Sequence, residues 1–526
     1  MPRIVNIELK PHQCIDQESI RGKIRDRFNC ANEPIVLLKK SLDARSRKNI
    51  HFKIRAQIGQ EDALTSDAHE SKAFIAGKSL NGTCHVIGFG PAGMFAAMEL
   101  LENGIKPIVI ERGKAVKERR RDLAALNKEL IVDPDSNYCF GEGGAGTYSD
   151  GKLYTRSKKR GSVERILQSF VQFGANDNIL YEAHPHIGTN KLPAIIEKMR
   201  SFILENGGEI HFNSRLTDIN YSDGKIQSIT VNNSDQMAVE DLILATGHSA
   251  RDVYTLLKKK KIAIELKLFA LGVRIEHPQD LVDEMQYHCS RGDYLPPSSY
   301  RIVNQVKERG VFSFCMCPGG IIAPASTDAK ETVVNGWSPS KRNGAYANSG
   351  LVVQLYEKDF AAYSQFDELA GMMFQKEVEQ KCFESTGSIV AAAQAVGDFV
   401  QGKKSNHLNE CSYVPGIQSV NLEEVLPEFI TSSLREGIQH FGKKMKGYDS
   451  NEGNLVATES RTSSPVRIPR DKETLQHPQL RNFYPCGEGA GYAGGIVSAA
   501  IDGMRCTMEI VKKRNERYRE CIGNWS

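Results

Sequence analysis

The feature that most constrains this chain is a glycine-rich turn between a predicted strand and a predicted helix. The strand covers residues 83–87, the turn reads Gly88-Phe89-Gly90-Pro91-Ala92-Gly93, and the helix covers 91–103. A second apolar strand follows over 107–111. This order is that of a βαβ unit, which belongs to a parallel sheet. The chain is therefore predicted to contain an α/β domain.

Each glycine of the turn has its own physical role if the unit binds a dinucleotide. Gly88 permits the tight turn, Gly90 lets the backbone approach a pyrophosphate, and Gly93 lets helix and strand pack closely. The helix start adds unpaired N–H groups and the positive end of the helix dipole. Glu111 ends the second strand, where it is placed to accept hydrogen bonds from ribose hydroxyls. The alternative is a plain loop followed by a surface acid. It does not explain why strand, glycines, helix and acid all occur at the expected spacing.

Two further segments decide between the dinucleotides that share this motif. Residues 241–247 read as an apolar strand that ends in a small-residue turn, and 486–496 read as a second glycine-rich strand-to-helix junction. FAD is long and extended, so its flavin end needs backbone N–H groups from a distant part of the chain. A helix that starts near Gly495 would supply them. We therefore predict FAD in a three-layer Rossmann-type domain, with NAD(P)H as one candidate electron donor.

Composition narrows the class of protein. The chain has 526 residues, of which 40% are hydrophobic and 25% charged, as is usual for a globular protein of several domains. The sequence has no apolar N-terminal region and no apolar run of the roughly eighteen residues that a membrane helix needs. Its twelve cysteines contain no C-x-x-C pair, which is typical of reduced thiols. These points predict a cytoplasmic protein without a membrane partner.

Charge is uneven along the chain. The first 80 residues carry 15 Lys and Arg against 10 Asp and Glu, an excess of five, whereas the whole chain has a net charge of +4. A solvated face is the commoner meaning of such an excess, and recognition of RNA or an acidic partner is the alternative. Nucleic acid is therefore not the expected partner. A small-molecule substrate is, and the sequence leaves the oligomeric state open.

Strand, helix and turn patterns divide the chain into five segments. The inserted segment is β-rich and then carries predicted helices over 359–380, 389–400 and 422–441. The segments are an N-terminal α+β domain (1–60), a polar linker (61–82), the first part of the FAD-binding domain with a β-meander starting at residue 209 (83–260), an inserted α+β substrate domain (261–460) and the second part of the FAD-binding domain (461–526).

Three side chains are candidates for the chemistry. Lys152 ends a glycine-rich segment, and we predict its amine near flavin N5 or N1, where a cation stabilises reduced anionic flavin. A contact with phosphate or solvent is the equal alternative. Cys315 and Cys317 suggest redox chemistry, but residues two apart on a regular strand share one face without disulfide geometry. Burial is therefore the favoured interpretation of the pair, and redox activity the alternative.

Three histidines are further candidates for a ligand or a general base. His184 and His186 lie on one face of an extended segment and could bind a metal, yet no third ligand stands at a readable spacing. A structural or substrate-contacting role is expected, and no metal site. His248 follows a small-residue turn, where either a general base or a turn residue is consistent with the pattern.

Several strings of residues resemble the bacterial FAD-dependent dehydrogenases of the glutathione-reductase-like superfamily. They are 41–45, 141–153, 245–252, 314–320, 459–465 and 487–495, in order along nearly the whole chain. The resemblance implies FAD contacts from Gly88, Gly90, Gly93, Glu111, Arg112, Thr246, Gly247, Gly487 and Glu488. Many members of the wider superfamily have Asp where Glu488 stands. Our predicted site is completed by Pro91, Ala92, Gly144, Thr147, Gly494, Gly495 and Ile496.

These features together predict an FAD-dependent oxidoreductase, a dehydrogenase or reductase. It would transfer hydride between flavin N5 and an organic substrate held by residues 261–460. The resemblance supplies no substrate. The alternative is a flavin-bearing binding protein whose basic N-terminal domain recognises RNA or a protein partner.

Overall fold

The computed structural model describes residues 2–46, 49–59, 74–75, 79–155 and 160–523, with 517–523 described by their backbone alone. The predicted linker over 61–82 lies largely outside these ranges. Among the helices within them, none combines the length and the apolar character that crossing a bilayer requires.

Residues 3–58 form a small α+β unit with its own core. Alternation along the first strand turns Val5, Ile7 and Leu9 inward, and Ile20 and Ile24, one helical turn apart, meet them. The three strands are antiparallel, and the last in sequence lies in the middle. The elements are β1 (Arg3–Leu9), α1 (Gln17–Phe28), β2 (Ile35–Asp43) and β3 (His51–Ile58).

The next part of the chain contains the βαβ unit and the meander. In the βαβ unit, Gly90 is the N-cap of the helix over Pro91–Glu102, and Pro91 is its first residue. The missing N–H of proline costs nothing at that position. The elements are β4 (Thr83–Ile87), α2 (Pro91–Glu102), β5 (Lys106–Ile110), α3 (Val116–Lys128), α4 (Val163–Gln172), α5 (Leu192–Glu205), β6 (Glu209–His211), β7 (Leu216–Ser222), β8 (Lys225–Val231), β9 (Asp235–Ala238), β10 (Leu242–Leu244) and α6 (Arg251–Lys259).

The third part contains a large sheet and several helices, and the chain then returns to the parallel sheet. The elements of the third part are β11 (Glu265–Leu266), β12 (Ala270–Pro278), α7 (Gln279–Tyr287), β13 (Val303–Val306), β14 (Arg309–Pro324), β15 (Val334–Trp337), β16 (Tyr346–Gln354), α8 (Ala370–Thr386), β17 (Ala391–Ala395), α9 (Val396–Val400), β18 (Ile417–Ser419), α10 (Glu428–Lys444) and β19 (Asn454–Glu459). The last elements are β20 (Val466–Arg467), β21 (Phe483–Pro485) and α11 (Ile496–Gly523).

A parallel sheet with the order β21–β10–β4–β5–β6 joins strands from both ends of this region. Successive residues of its strands face opposite sides, so Val86 packs under α2, α5 and α11, whereas Ile87 packs on the meander β7–β8–β9. Helices, parallel sheet and meander make three layers. The predicted α/β, three-layer fold class is confirmed.

Two predicted elements are wrong, each for a tertiary reason. Residues 209–211 do not start the meander, because the chain leaves α5 and pairs in parallel with β5 as the edge strand β6. Residues 391–395 are not helical although four of them are alanine. They form β17, buried on both faces between β18 and β19, where the small alanine side chains pack.

The inserted sheet has the order β13–β14–β16–β12–β19–β17–β18, with β15 paired to β14. Helices α7, α8 and α10 cover one of its faces and bury a large apolar core there. The short pair β11 and β20 joins the inserted part to the parallel-sheet part.

Four charged side chains link α6 to the inserted part. Arg251 contacts Glu331 at 3.1 Å and Glu379 at 2.8 Å, and Arg461 contacts the same two carboxylates at 3.1 Å each. Both acids and Arg461 are buried. Because a buried charge without its partner is strongly destabilising, this cluster holds the two sheets in one relative position.

Candidate active site

Three glycine-rich turns meet where neighbouring parallel strands end. Gly88 follows β4, Gly247 follows β10 and Gly489 follows β21. A Cβ added to Gly88 would lie 2.5 Å from the Ala245 carbonyl oxygen, and one added to Gly489 would lie 2.4 Å from that of Gly247. These distances exclude any side chain, so the turns pack backbone against backbone at the carboxyl edge of the sheet, where ligands bind in open α/β folds.

The starts of two helices converge on the same place. A Cβ on Gly90 would lie 3.8 Å from Gly144 Cα, and one on Gly146 would lie 3.2 Å from Pro91 Cγ and 3.6 Å from Ile496 Cγ1. The loop around Gly144 therefore lies across the first residues of both α2 and α11. Each start offers unpaired N–H groups and positive dipole, which bind a pyrophosphate or a polarised carbonyl.

The room at this place fits an extended dinucleotide. A Cβ on Gly247, Gly494 or Gly495 would meet no atom within 4 Å, so these turns border open space. An apolar cavity that includes Pro91 and Ile496 in its lining adjoins it. Two observations thus support a bound dinucleotide. Gly88 and Gly489 pack tightly against neighbouring backbone, whereas Gly247, Gly494 and Gly495 border open space.

Glu111 is buried and makes three backbone contacts. Its Oε2 accepts from the Phe89 N–H at 2.8 Å, and its Oε1 accepts from the N–H groups of Gly113 and Gly141 at 2.9 Å each. A carboxylate has about four acceptor positions, so one is left for a ribose hydroxyl. The ribose contact stays a prediction, while the observed contacts hold the glycine turn to β5.

Arg112 and Thr147 use their side chains within the protein. Arg112 pairs with Asp135 at 2.7 Å and with Asp252 at 2.9 Å. The Thr147 hydroxyl donates to the Glu142 carbonyl oxygen at 2.6 Å. An FAD contact from either residue is therefore expected from its backbone.

Arg119, which sequence reasoning missed, supports the loop around Gly144 from beneath. It is fully buried and donates to three backbone carbonyls, among them that of Gly144 at 2.9 Å. Burial lowers the pKa of its guanidinium. The available signal was its helical spacing from Val116 and Leu123, which puts it on the buried face of α3.

Glu488 and His248 face each other beside the turn after β21. Their Oε1 and Nε2 atoms are 3.9 Å apart, and burial raises the pKa of Glu488 to about 7. Burial and the positive charge of Arg461 lower the pKa of His248 to about 3, so its imidazole is neutral. Within the described residues its Nδ1 is buried without a hydrogen-bond partner. Such an orphaned polar atom is a ready contact for a ligand.

Gly487 is held by an ion pair behind the turn. Its N–H donates to Asp502 at 2.8 Å, and Asp502 is bound by Arg470 at 2.6 Å. Cys486 and Cys506 lie close to the same carboxylate, a set with metal-ligand chemistry. The Arg470 guanidinium already supplies the cation there.

Lys152 reaches the thiol pair of the inserted sheet. Its Nζ lies 3.9 Å from the Sγ of both Cys315 and Cys317, and it donates to the Met316 carbonyl oxygen. Burial by itself would lower the pKa of Lys152, but the two thiols and Asp150, 3.7 Å away, raise it. The three predicted catalytic side chains thus lie together, with both thiols close to the Lys152 ammonium group.

The strand is irregular at the thiol pair. Phe314 pairs with Gly350 and Cys317 with Asn348, so β14 carries one residue more than β16 between these points, and Cys315 has a φ of 47°. This is a β-bulge. The expectation of a regular strand was wrong: the bulge turns the Cys317 thiol back, so that it lies 3.3 Å from the Cys315 carbonyl oxygen.

Arg274, also missed, lies on the other side of the pair. It is fully buried, pairs with Glu459 at 2.8 Å and donates to the Cys315 carbonyl oxygen at 2.7 Å. Its Nη2 is 3.6 Å from Cys317 Sγ. The available signal was an arginine in an otherwise apolar stretch of β12, because a buried charge requires a specific partner.

The two clustered histidines do not share a ligand position. His186 Nε2 lies 3.1 Å from the Ser340 carbonyl oxygen, whereas the ring of His184 packs against Tyr154 with centroids 5.1 Å apart. Their contacts are those of structural residues.

Two family models match parts of the chain. Residues 268–462 match the family described as FAD-dependent protein, C-terminal domain-like, and residues 1–59 match a domain of unknown function. A curated relative, an uncharacterised protein of Clostridium beijerinckii (strain ATCC 51743 / NCIMB 8052), is 39% identical over an alignment 533 residues long, which covers 97% of this chain and 98% of that protein. The cofactor of the family model is the one that the turns and helix starts fit, FAD.

Similar solved structures share little sequence with the chain. CtdE in complex with FAD is 11% identical, with 82% of this chain and 84% of that chain covered and a TM-score of 0.33. A geranylgeranyl bacteriochlorophyll reductase-like protein of Thermoplasma acidophilum is 12% identical, with 85% and 84% covered and a TM-score of 0.34. At these scores the likeness carries no argument about activity.

Proposed function

Since this chain belongs to the same family as the Clostridium beijerinckii protein, and carries the FAD-dependent C-terminal domain, we propose that it is an FAD-dependent oxidoreductase. It acts as a dehydrogenase or reductase on a small organic substrate held by residues 261–460. Bound FAD supplies hydride chemistry at its N5 atom.

One observation carries the proposal: the loop that crosses the starts of α2 and α11 continues to Lys152, whose amine lies against the inserted sheet. A few residues of this loop thereby join the place that would hold a dinucleotide to a charged side chain that touches the inserted sheet. The Lys152 ammonium is placed to stabilise negative charge that develops beside it. Two further polar groups are Arg274, which lies beside the thiol pair, and the neutral His248, which lies beside Glu488.

The setting and the partners follow the same evidence. The described cysteines are free thiols, which supports a reducing, cytoplasmic setting. NAD(P)H is one candidate donor of electrons. The N-terminal part matches a domain of unknown function, and no observation on the described residues favours RNA recognition.

The test is an anaerobic titration of the purified protein with NADH and NADPH, followed by the visible flavin absorbance. Bands that bleach identify a pyridine nucleotide as the electron donor, and bands that do not bleach assign reduction to the organic substrate. A protein without flavin bands after FAD is added contradicts the proposal.

The role of Lys152 has its own variant. Lys152→Met is expected to bind FAD normally and to lower the two-electron midpoint potential of the flavin by about 30–60 mV, or about 1.4–2.8 kcal/mol. Lys128→Met, at the end of α3, is the control and should leave the potential unchanged. If the potential of Lys152→Met is unchanged, the Lys152 ammonium does not lie close enough to the flavin to stabilise its reduced form.

A further inference from the structure

We propose that Cys315 and Cys317 are a redox-active pair, which passes an electron pair from the reduced flavin to a disulfide substrate. The inference rests on the proposed function, because the flavin supplies the electrons. It names a substrate class for the same site: a compound with a disulfide bond.

The pair has the geometry of an attacking and a resolving thiol. Cys315 is exposed, whereas Cys317 is fully buried directly beside it. The bulge in β14 brings the Cys317 thiol to 3.3 Å from the Cys315 carbonyl oxygen, and both sulfurs lie 3.9 Å from Lys152 Nζ. Redox thiols need one accessible sulfur and a second sulfur within reach of it.

Two cations favour the thiolate at the accessible position. Lys152 Nζ is 3.9 Å from each sulfur, and Arg274 is hydrogen-bonded to the Cys315 carbonyl. The interaction with Cys317 and the charges of Lys152 and Arg274 lower the pKa of Cys315. The interaction with Cys315 and burial raise the pKa of Cys317. Cys315 is therefore the nucleophile.

The pair also lies near the cofactor turns. Lys152 belongs to the loop whose Gly146 lies across the starts of α2 and α11. Other exposed cysteines, such as Cys289 after α7, have no such neighbours among the described contacts.

The reaction balances in two stages. The Cys315–Cys317 disulfide accepts two electrons and one proton from anionic reduced flavin, which leaves oxidised flavin, a Cys315 thiolate and a Cys317 thiol. The Cys315 thiolate then attacks a substrate disulfide, forming a mixed disulfide and expelling one substrate thiolate, which takes the proton of Cys317. The Cys317 thiolate attacks the mixed disulfide, restores the internal disulfide and expels the second substrate thiolate.

The test follows the thiols rather than turnover. Trypsin releases residues 310–330 as one peptide in which Cys315 and Cys317 are the two cysteines. The holoprotein is treated with glutathione disulfide, denatured, alkylated and analysed by mass spectrometry. We expect this peptide to carry no alkyl group and to be two hydrogens lighter than the unalkylated dithiol peptide. Light-driven reduction of the bound flavin, in the absence of oxygen, should restore both alkylation sites.

Three variants sharpen the result. Cys317→Ser should accumulate glutathione on Cys315, Cys315→Ser should lose both the disulfide and the adduct, and Cys289→Ser should behave as the parent protein. Flavin absorbance in each variant verifies folding. A peptide that stays fully alkylated, or a disulfide that flavin reduction does not open, overturns the inference while a reducible flavin leaves the proposed function standing. Failure to bind FAD overturns both.

Discussion

At the scale of single residues, two glycines of one turn serve different partners. A Cβ on Gly93 would lie 2.0 Å from the Gly88 carbonyl oxygen, whereas one on Gly90 would make an ordinary contact, 3.8 Å from Gly144 Cα. Gly93 is therefore required by the packing of helix on strand. At Gly90 the protein itself has room for a methyl group, so we predict that any requirement for glycine there comes from the cofactor.

Alanine at each position separates the two roles. Gly93→Ala should lower the free energy of unfolding by about 2–4 kcal/mol, since backbone must move to admit the methyl group. Gly90→Ala should change that free energy by less than about 1 kcal/mol but weaken FAD binding at least about tenfold, or ~1.4 kcal/mol. Urea unfolding of the apoprotein and fluorescence titration with FAD measure the two effects.

Gly22 on α1 is the matched control. A Cβ there would meet no atom within 4 Å. Gly22→Ala should therefore raise helix stability by about 0.5–1 kcal/mol and leave FAD affinity unchanged. Unchanged FAD affinity in Gly90→Ala would place the pyrophosphate elsewhere.

At the scale of elements, a buried ion pair between two helices couples stability to pH. Glu99 of α2 contacts Arg165 of α4 at 2.9 Å. Burial raises the pKa of Glu99 to about 7, and the arginine only partly offsets this. Arg165 also pairs with Glu102, so it keeps a partner when Glu99 is replaced.

The sign of the pH effect follows from the raised pKa. The folded protein binds the Glu99 proton more tightly than the unfolded chain, whose pKa is near 4.5. The contribution to stability is thus complete below pH 4.5 and is lost as pH rises through about 7. As pH rises over this range, the free energy of unfolding should fall by up to about 3 kcal/mol less in Glu99→Gln than in the parent protein.

Urea unfolding at pH 5 and pH 7.5 measures the difference. Glu118→Gln, an exposed acid of α3, is the control with the same change of charge. If Glu99→Gln lost stability with pH as steeply as the parent protein, the raised pKa would be disproved.

Elements with strong local patterns could be predicted, and those decided by neighbours could not. The sequence located β4, α2, β5 and the junction before α11, because turn glycines and apolar periods are local. The alanines of β17 carry a helical preference that two flanking strands override. The bulge at Cys315 depends on the register between β14 and β16, which has no local signature.

At the scale of the whole molecule, the N-terminal part touches the rest of the described chain mainly around residues 177–183. Strand β2 meets the loop at Glu182 through two backbone hydrogen bonds of Lys40 and the Lys40–Glu182 ion pair at 3.1 Å. Its core is a separate cluster, and its residues match a family model of their own. We therefore predict that it folds as a unit of its own.

Removal of residues 1–59 should leave a folded flavoprotein. We expect the remaining chain to keep the flavin absorbance of the full protein and to lose less than about 5 °C in melting temperature, since its cores stay intact. Thermal unfolding with flavin absorbance measures both. A truncated protein that cannot retain FAD would show that the N-terminal part supports the cofactor site.

The sequence by itself determined the α/β class, the turn glycines and the need for a second junction near the C-terminus, because these depend on neighbours close in the chain. The tertiary structure decided which charged side chains serve the site. Arg119 and Arg274 carry weak signals in the sequence, a helical spacing and an apolar setting, and Lys152 is far along it from Cys315 and Cys317. Only the packing of two sheets brings them together, and their protonation follows from burial and distance, which residue type alone does not specify.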